Sequence, residues 1–239
     1  MAKNRWGKMM KIVCFGDSLT RGVSYLKGRV RIIKDNYPTF LQSFLNRNQE
    51  ETIVVNKGVF NDNSKLLISR LEKDVIFEKP NYVLINVGGN DCNFKWDEVA
   101  KFPEKVHEPI VPVAEYVNNI RNIINQVKEY NITPIILTLP PLDPVRYYEF
   151  IASKYGHAVS HWISRCGGIE HWHGMYNRQL HKLIEQLNVP FIDVRKNLKK
   201  SGDLMQFISD DGIHLNAVGY KEMGKIIYQH LLDIKGLTQ

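Results

Sequence analysis

Four short strings hold the residues of this chain best suited to chemistry. Gly16-Asp17-Ser18-Leu19-Thr20 comes directly off an apolar run, residues 11–15. The others are Asn56-Lys57-Gly58, Gly88-Gly89-Asn90-Asp91 and Asp211-Gly212-Ile213-His214, with Asp210 just before the last. A serine hydroxyl is a weak nucleophile until a base takes its proton, and an imidazole is such a base. A carboxylate three residues before a histidine can turn back onto Nδ1, where it sets the tautomer and stabilises the imidazolium. Taken singly, each residue has a plainer role. Ser18 suits a helix N-cap, Gly58 a turn, Asn90 an Asx turn, and the acid before His214 a cap for the last helix.

The elements that must position these residues can be read from the hydrophobic pattern. Short β-branched runs at 11–15, 52–56, 82–87, 134–139 and 191–194 alternate with helical patterns. Such alternation predicts repeated βα units and a parallel sheet. Helices are predicted near Pro38, over 64–73, after Pro112, over 175–187, and from Asn216, a good N-cap, towards His230. The one after Pro112 has the clearest apolar stripe: Val113, Val117, Ile120, Ile123, Ile124 and Val127. A loop is expected around Trp96 and Phe102. Five strands with covering helices make an α/β, three-layer αβα sandwich. In open parallel sheets ligands bind beyond the carboxyl ends of the strands. Ser18, Gly58 and Asn90 follow strands one, two and three, and Asp211 and His214 follow strand five, so all converge on one edge.

Together, and in this order along most of the chain, the four strings resemble the SGNH hydrolases, the GDSL family of esterases and acylhydrolases. The resemblance implies a flavodoxin-like strand order, 2-1-3-4-5, in a single domain over 1–239. It also implies hydrolysis of carboxylic esters through an acyl-enzyme on Ser18, without a cofactor. Its Asp-x-x-His spacing selects Asp211, not Asp210, as the partner of the base His214. The oxyanion donors it implies are the N–H groups of Ser18 and Gly58 and the side-chain amide of Asn90. Asp17 and Asp91 are read as loop-organising acids. At one point the chain departs from the family pattern. Asn61 stands where a second glycine is common, and asparagine tolerates left-handed backbone angles better than most residues. The string Gly-x-Ser-x-Thr lacks the second glycine of a nucleophile elbow, which excludes an ordinary α/β-hydrolase.

The 239 residues suit one domain with a full core, and the three cysteines cannot all pair and lack metal-type spacing. Free thiols and a reducing, cytoplasmic setting are expected. No stretch is long enough to cross a membrane, so no stable membrane insertion is expected. The basic start, with Lys3, Arg5 and Lys8, reads as a tail without the pattern of a secretory signal. The formal charge of +7 is scattered as on a solvated basic surface, and no nucleic-acid motif accompanies it.

Residues 142–174 are long for a strand-to-helix connection and rich in aromatics and histidine, including Tyr147, Tyr148, Trp162, Trp172, His157, His161, His171 and His173. One or two short helices over the sheet edge are expected, as a cap over the acyl or leaving-group pocket. A surface excursion or a homo-oligomer contact would account for the same composition. His157 and His161 stand at i, i+4, but no Glu follows His157 as in the zinc-protease pattern, and no metal is expected. The expected substrate is a small-molecule ester with a short, acetyl-like acyl group on a polar or carbohydrate-like alcohol. Alternatives are a lysophospholipase or thioesterase, an acyltransferase with the same residues, and a catalytically silent binding or assembly protein.

Overall fold

The computed structural model describes residues 10–47 and 51–234. The basic residues Lys3, Arg5 and Lys8 lie outside them. Strand β1 (Met10–Gly16) leads into a one-turn helix α1 (Ser18–Arg21), a hairpin of β2 (Val23–Leu26) and β3 (Arg29–Ile32), and helix α2 (Tyr37–Arg47). Next come β4 (Thr52–Gly58), α3 (Ser64–Leu71) with a π-helical continuation over Glu72–Ile76, β5 (Tyr82–Asn86), α4 (Trp96–Lys101) and α5 (Val113–Glu129). The rest comprises β6 (Thr133–Leu137), α6 (Pro144–Tyr155), α7 (Val159–Arg165), α8 (Ile169–Leu187), β7 (Phe191–Ile192), α9 (Val194–Ser201) and α10 (Ala217–Ile234).

Strands β4, β1, β5, β6 and β7 pair in that order, all parallel, which is the expected 2-1-3-4-5 arrangement. Alternation along the strands divides the core. Ile12, Cys14, Leu84 and Leu137 face Tyr37 and Leu41 of α2 and Tyr220, Met223 and Ile227 of α10. Val13, Phe15, Val83, Ile85 and Ile136 face Leu67 and Leu71 of α3, the α5 stripe, and Tyr176, Leu180 and Leu183 of α8. Each fully buried side chain of this size contributes about 1.5–3 kcal/mol relative to exposure, so both faces of the sheet are strongly held. These are the three layers expected.

The segment 142–174 forms α6, α7 and the first turns of α8. Ile151, Ala152, Val159 and Trp162 build a third, smaller core with Phe94, Trp96 and Val99 of the α4 region. Phe94 is its hub, with ring centroids 5.8 Å from Trp162 and 5.2 Å from Trp172. Several details differ from expectation. The strand expected over 191–194 is confined to Phe191–Ile192, and Val194 opens helix α9, which Asp193 caps by accepting from Lys196 N–H. The hairpin β2–β3 was not anticipated; its turn residues, Lys27 and Gly28, both have positive φ (51° and 73°), the signature of a tight two-residue connection. Trp96 opens a short helix instead of lying in a loop. Helix α8 starts six residues earlier than 175, at Ile169, and carries Gly174 in its interior against Arg178 and Arg195.

Candidate active site

Gly16 ends β1 where only glycine fits. A Cβ there would meet Thr20 Oγ1 at 2.2 Å and Asn86 O at 2.3 Å. The chain can therefore turn at once into α1, whose first residue is Ser18. Asp17 caps this short helix, accepting from Leu19 N–H at 2.9 Å. Ser18 N–H, in the first turn, has no intrahelical acceptor. Ser18 Oγ lies 2.9 Å from His214 Nε2, across 196 positions of sequence.

The loop before α10 supplies the other two groups. His214 Nδ1 lies 2.5 Å from Asp211 Oδ2. Asp211 Oδ1 accepts from the N–H groups of Ile213 at 3.2 Å and His214 at 3.1 Å, with Ser209 Oγ at 3.0 Å. Burial pushes the Asp211 carboxyl up, but the hydrogen bonds and charge of His214 and the two N–H groups outweigh it and hold the carboxyl below its ordinary value. Asp210 is exposed and turns away; its N–H donates to Tyr25 O at 3.3 Å. Gly212, at φ 78°, lies so close to α6 that a Cβ would meet Tyr147 N at 2.3 Å. Asp143 N–H donates to Gly212 O at 2.8 Å. The acid–base loop is thus held between the β2 strand and the start of α6.

Asn90 follows β5, and one of its two amide hydrogens goes to Asp62 O at 2.8 Å, leaving the second available. Asp91 is fully buried and accepts from Ser64 N–H at 3.0 Å, joining the Asn90 loop to the start of α3. Burial pushes its carboxyl up to about 6 and that of Asp17 up to about 7. Gly58 behaves differently from the expectation of an oxyanion donor. Its N–H donates to Asn56 Oδ1 at 2.8 Å. Its Cα packs on α1 so closely that a Cβ would meet Arg21 N at 2.1 Å. Gly58 is a close-approach glycine, and its donor is already taken. Asn61, at φ 63°, is left-handed and exposed, and its N–H has no acceptor among the described residues. It adjoins Asp62, whose carbonyl holds Asn90.

Several contacts that organise the site are not foreseen from the sequence. Arg70 binds Asp62 Oδ2 at 2.6 Å and the carbonyls of Lys57 and Gly16 at 2.9 and 2.8 Å. Trp172 Nε1 donates to Cys92 O at 2.8 Å, and Tyr147 and Trp96 both donate to Asn93 Oδ1, at 2.9 and 2.7 Å. The segment 142–174 therefore braces the Asn90 loop. No short string advertises the longer of these contacts, because Arg70–Gly16, Tyr147–Asn93 and Trp172–Cys92 each join residues more than fifty positions apart.

Ser18, Asn90 and His214 open onto one cavity, whose walls include Phe94, Leu139, Leu142, Ile163 and Trp172. Its lining is mostly apolar, and the segment 142–174 contributes a large part of it. The histidines of that segment are dispersed. His157 meets Tyr148, His161 meets Glu104, and His173 meets Arg195. Among the described residues no three His, Cys, Asp or Glu side chains gather as a metal ion would require. Cys14, Cys92 and Cys166 are unpaired.

A serine, an imidazole and a buried carboxylate in hydrogen-bonded sequence, at the C-terminal edge of a 2-1-3-4-5 parallel sheet, define a hydrolase of the acyl-transfer type. The family model of GDSL-like lipase/acylhydrolase matches residues 12–227, and the chain belongs to that family. It is accordingly an enzyme that hydrolyses ester bonds. The chain is 25% identical to the uncharacterized lipoprotein YqeF of Bacillus subtilis (strain 168), over 93% of this chain and 88% of that protein. It is 24% identical to the isoamyl acetate-hydrolyzing esterase of Saccharomyces cerevisiae, over 94% of this chain and 85% of that one. The crystal structure of the lipase/acylhydrolase from Enterococcus faecalis shares the fold, with a TM-score of 0.69, 24% identity, and coverage of 93% of this chain and 95% of that one. No helix among the described residues is long and apolar enough to cross a membrane.

Proposed function

We propose that the chain is a serine esterase acting on short-acyl carboxylic esters through an acyl-enzyme on Ser18. One observation carries this reading: an unbroken hydrogen-bonded line from Asp211 through His214 to Ser18, at the wall of an apolar cavity. His214 Nε2 takes the Ser18 proton as Oγ attacks the carbonyl carbon. Asp211 holds the imidazole and stabilises its charge. The tetrahedral intermediate collapses with cleavage of the bond to the alcohol oxygen, which leaves with the proton from His214. Water then attacks the acyl carbon, gives its proton to His214, and Ser18 departs with that proton as the acid is released.

The oxyanion needs donors fixed before charge develops. We assign Ser18 N–H, the free amide hydrogen of Asn90, and Asn61 N–H in place of the committed N–H of Gly58. The segment 142–174 acts as the cap that walls the substrate cavity. A cavity volume of about 90 Å³ favours a short acyl group. For comparison, a dry cavity that admits benzene measures ~150 Å³. The lining favours an apolar group over the carbohydrate-like alcohol expected from sequence. Similarity to a yeast enzyme whose name specifies an acetate ester of an apolar alcohol supports both points. The three free thiols support a reducing, cytoplasmic setting.

The test is hydrolysis of p-nitrophenyl esters from acetate to decanoate, by the wild type and by Ser18→Ala. Turnover should fall steeply with chain length and vanish in the variant. A preference for decanoate would move the substrate to lipids, and full activity in the variant would remove Ser18 as the nucleophile.

A further inference from the structure

His173 takes no part in the chemistry just described, yet it lines the same cavity as Ser18 and His214. It sits near the start of α8 and is 8% exposed. Its Nδ1 lies 2.9 Å from Arg195 Nη1. A guanidinium has donors only, so Nδ1 must accept. The ring proton therefore resides on Nε2. Burial, then the charge of Arg195, push the imidazole down to about 3, so it stays neutral at ordinary pH.

Arg195 is itself held firmly. Its backbone N–H donates to Thr138 Oγ1 at 3.1 Å, Nη1 lies 3.4 Å from Pro140 O, and Nη2 reaches Glu170 Oε1 at 2.6 Å. Lys199 Nζ meets the same Glu170 oxygen at 2.7 Å. With Nδ1 paired to Arg195, Nε2 is the ring nitrogen left to meet what enters the cavity that His173 lines. His173 Nε2–H has no acceptor among the described residues, and the cavity it lines is mostly apolar.

We propose that His173 Nε2–H is a substrate-binding donor that, among the mainly apolar groups the cavity favours, selects those carrying one further oxygen acceptor, such as an ether or keto oxygen, in the part of the ester seated there. This rests on the ester-hydrolase reading above. A donor fixed in an apolar pocket loses its water when a purely hydrocarbon group enters and gains nothing in return. A ligand acceptor at the right position restores the hydrogen bond. Discrimination by such a group follows from the unpaired polar atom left by the wrong substrate.

Two matched pairs test the proposal, each replacing one methylene by an ether oxygen. On the acyl side the pair is p-nitrophenyl butyrate and p-nitrophenyl methoxyacetate. On the alcohol side it is butyl acetate and 2-methoxyethyl acetate. Intrinsic reactivity differs within each pair but cancels when the ether-to-methylene ratio of kcat/KM is compared between enzymes. In His173→Phe that ratio should fall roughly ten- to a hundredfold for one pair. His173→Gln, which keeps an N–H donor, should retain most of it. A ratio unchanged in both pairs, with the variant still active, overturns the role of His173 alone. A wild type inert towards all four esters overturns the ester reading together with this one. Should His173→Phe fail to fold, inhibition of the wild type by 2-methoxyethanol against butan-1-ol, and by methoxyacetate against butyrate, serves instead. Tighter inhibition by an ether form, despite its better solvation in water, is expected; equal or weaker inhibition in both comparisons contradicts the proposal.

Discussion

Tyr25 N–H donates to Ser209 Oγ over 3.2 Å, joining a hairpin near the start of the chain to the acid–base loop near its end. Ser209 in turn stands 3.0 Å from Asp211 Oδ1 and from His214 O. The hairpin thereby sets the acid, the acid sets the imidazole, and the imidazole reaches Ser18. Ser209→Ala should lower kcat roughly tenfold with KM nearly unchanged, the size of one lost hydrogen bond to a charged group. Steady-state kinetics with an acetate ester checks this. A KM rise at constant kcat would mean that Ser209 serves binding instead.

Asp211 and Asp210 are neighbours with opposite roles. Asp211→Asn keeps the shape but removes the charge and disturbs the tautomer, and kcat should fall ~10³–10⁴-fold. Asp210→Asn should leave kcat intact, because its carboxylate is exposed and only its backbone N–H is used. Equal losses in the two variants would sink the assignment.

Donor and spacer roles separate in the β4 and β5 loops. Asn90→Ala should reduce kcat ~10²–10³-fold with a folded protein. Gly58→Ala should fail differently. The new Cβ meets backbone atoms of Arg21 and Thr20 at 2.1 and 2.5 Å, which cannot swing aside. Thermal melts should show a large loss of stability, or no folded protein. Asn61→Gly should keep both stability and activity, since φ 63° suits glycine and only the backbone N–H is used. A Gly58→Ala enzyme that is folded and as stable as the wild type would contradict the close-approach role of Gly58.

How far these features can be read from sequence depends on their range. The five main strands are apolar runs of distinct composition, and their edge follows from the βα alternation. The hairpin 23–32 escaped because β3 is exposed along its length and has no buried face to give a period, leaving Lys27-Gly28 as the sole cue. Helix α4 is too short for a stripe. Gly174 looked like a boundary but is tolerated within α8, where it lies beside Arg178 and Arg195. Ser18, Asn90, Asp211 and His214 announce themselves by type and string. The fate of the Gly58 N–H does not, because it depends on how the Asn56 side chain folds back. The Arg195–His173 pair is likewise invisible, since it joins residues 22 positions apart on different helices.

Asp17 gives stability a pH dependence of definite sign. Burial raises its carboxyl to about 7, against ~3.9 for an unfolded chain. Between about pH 4 and 7 the native state therefore binds more protons than the unfolded one, and stability falls as pH rises through that window. Asp17→Asn keeps an acceptor for Leu19 N–H without the charge. Its melting temperature relative to wild type should rise between pH 5 and pH 8, by several degrees. A difference that is the same at both pH values would show that Asp17 does not titrate there.

The central claim is that Ser18 is the nucleophile. The most direct measurement is incubation with a fluorophosphonate, followed by mass spectrometry of the digested protein. The account expects one adduct per chain, on Ser18, formed far more slowly in His214→Ala. Labelling at another residue, or an unlabelled enzyme that still hydrolyses esters, would contradict it.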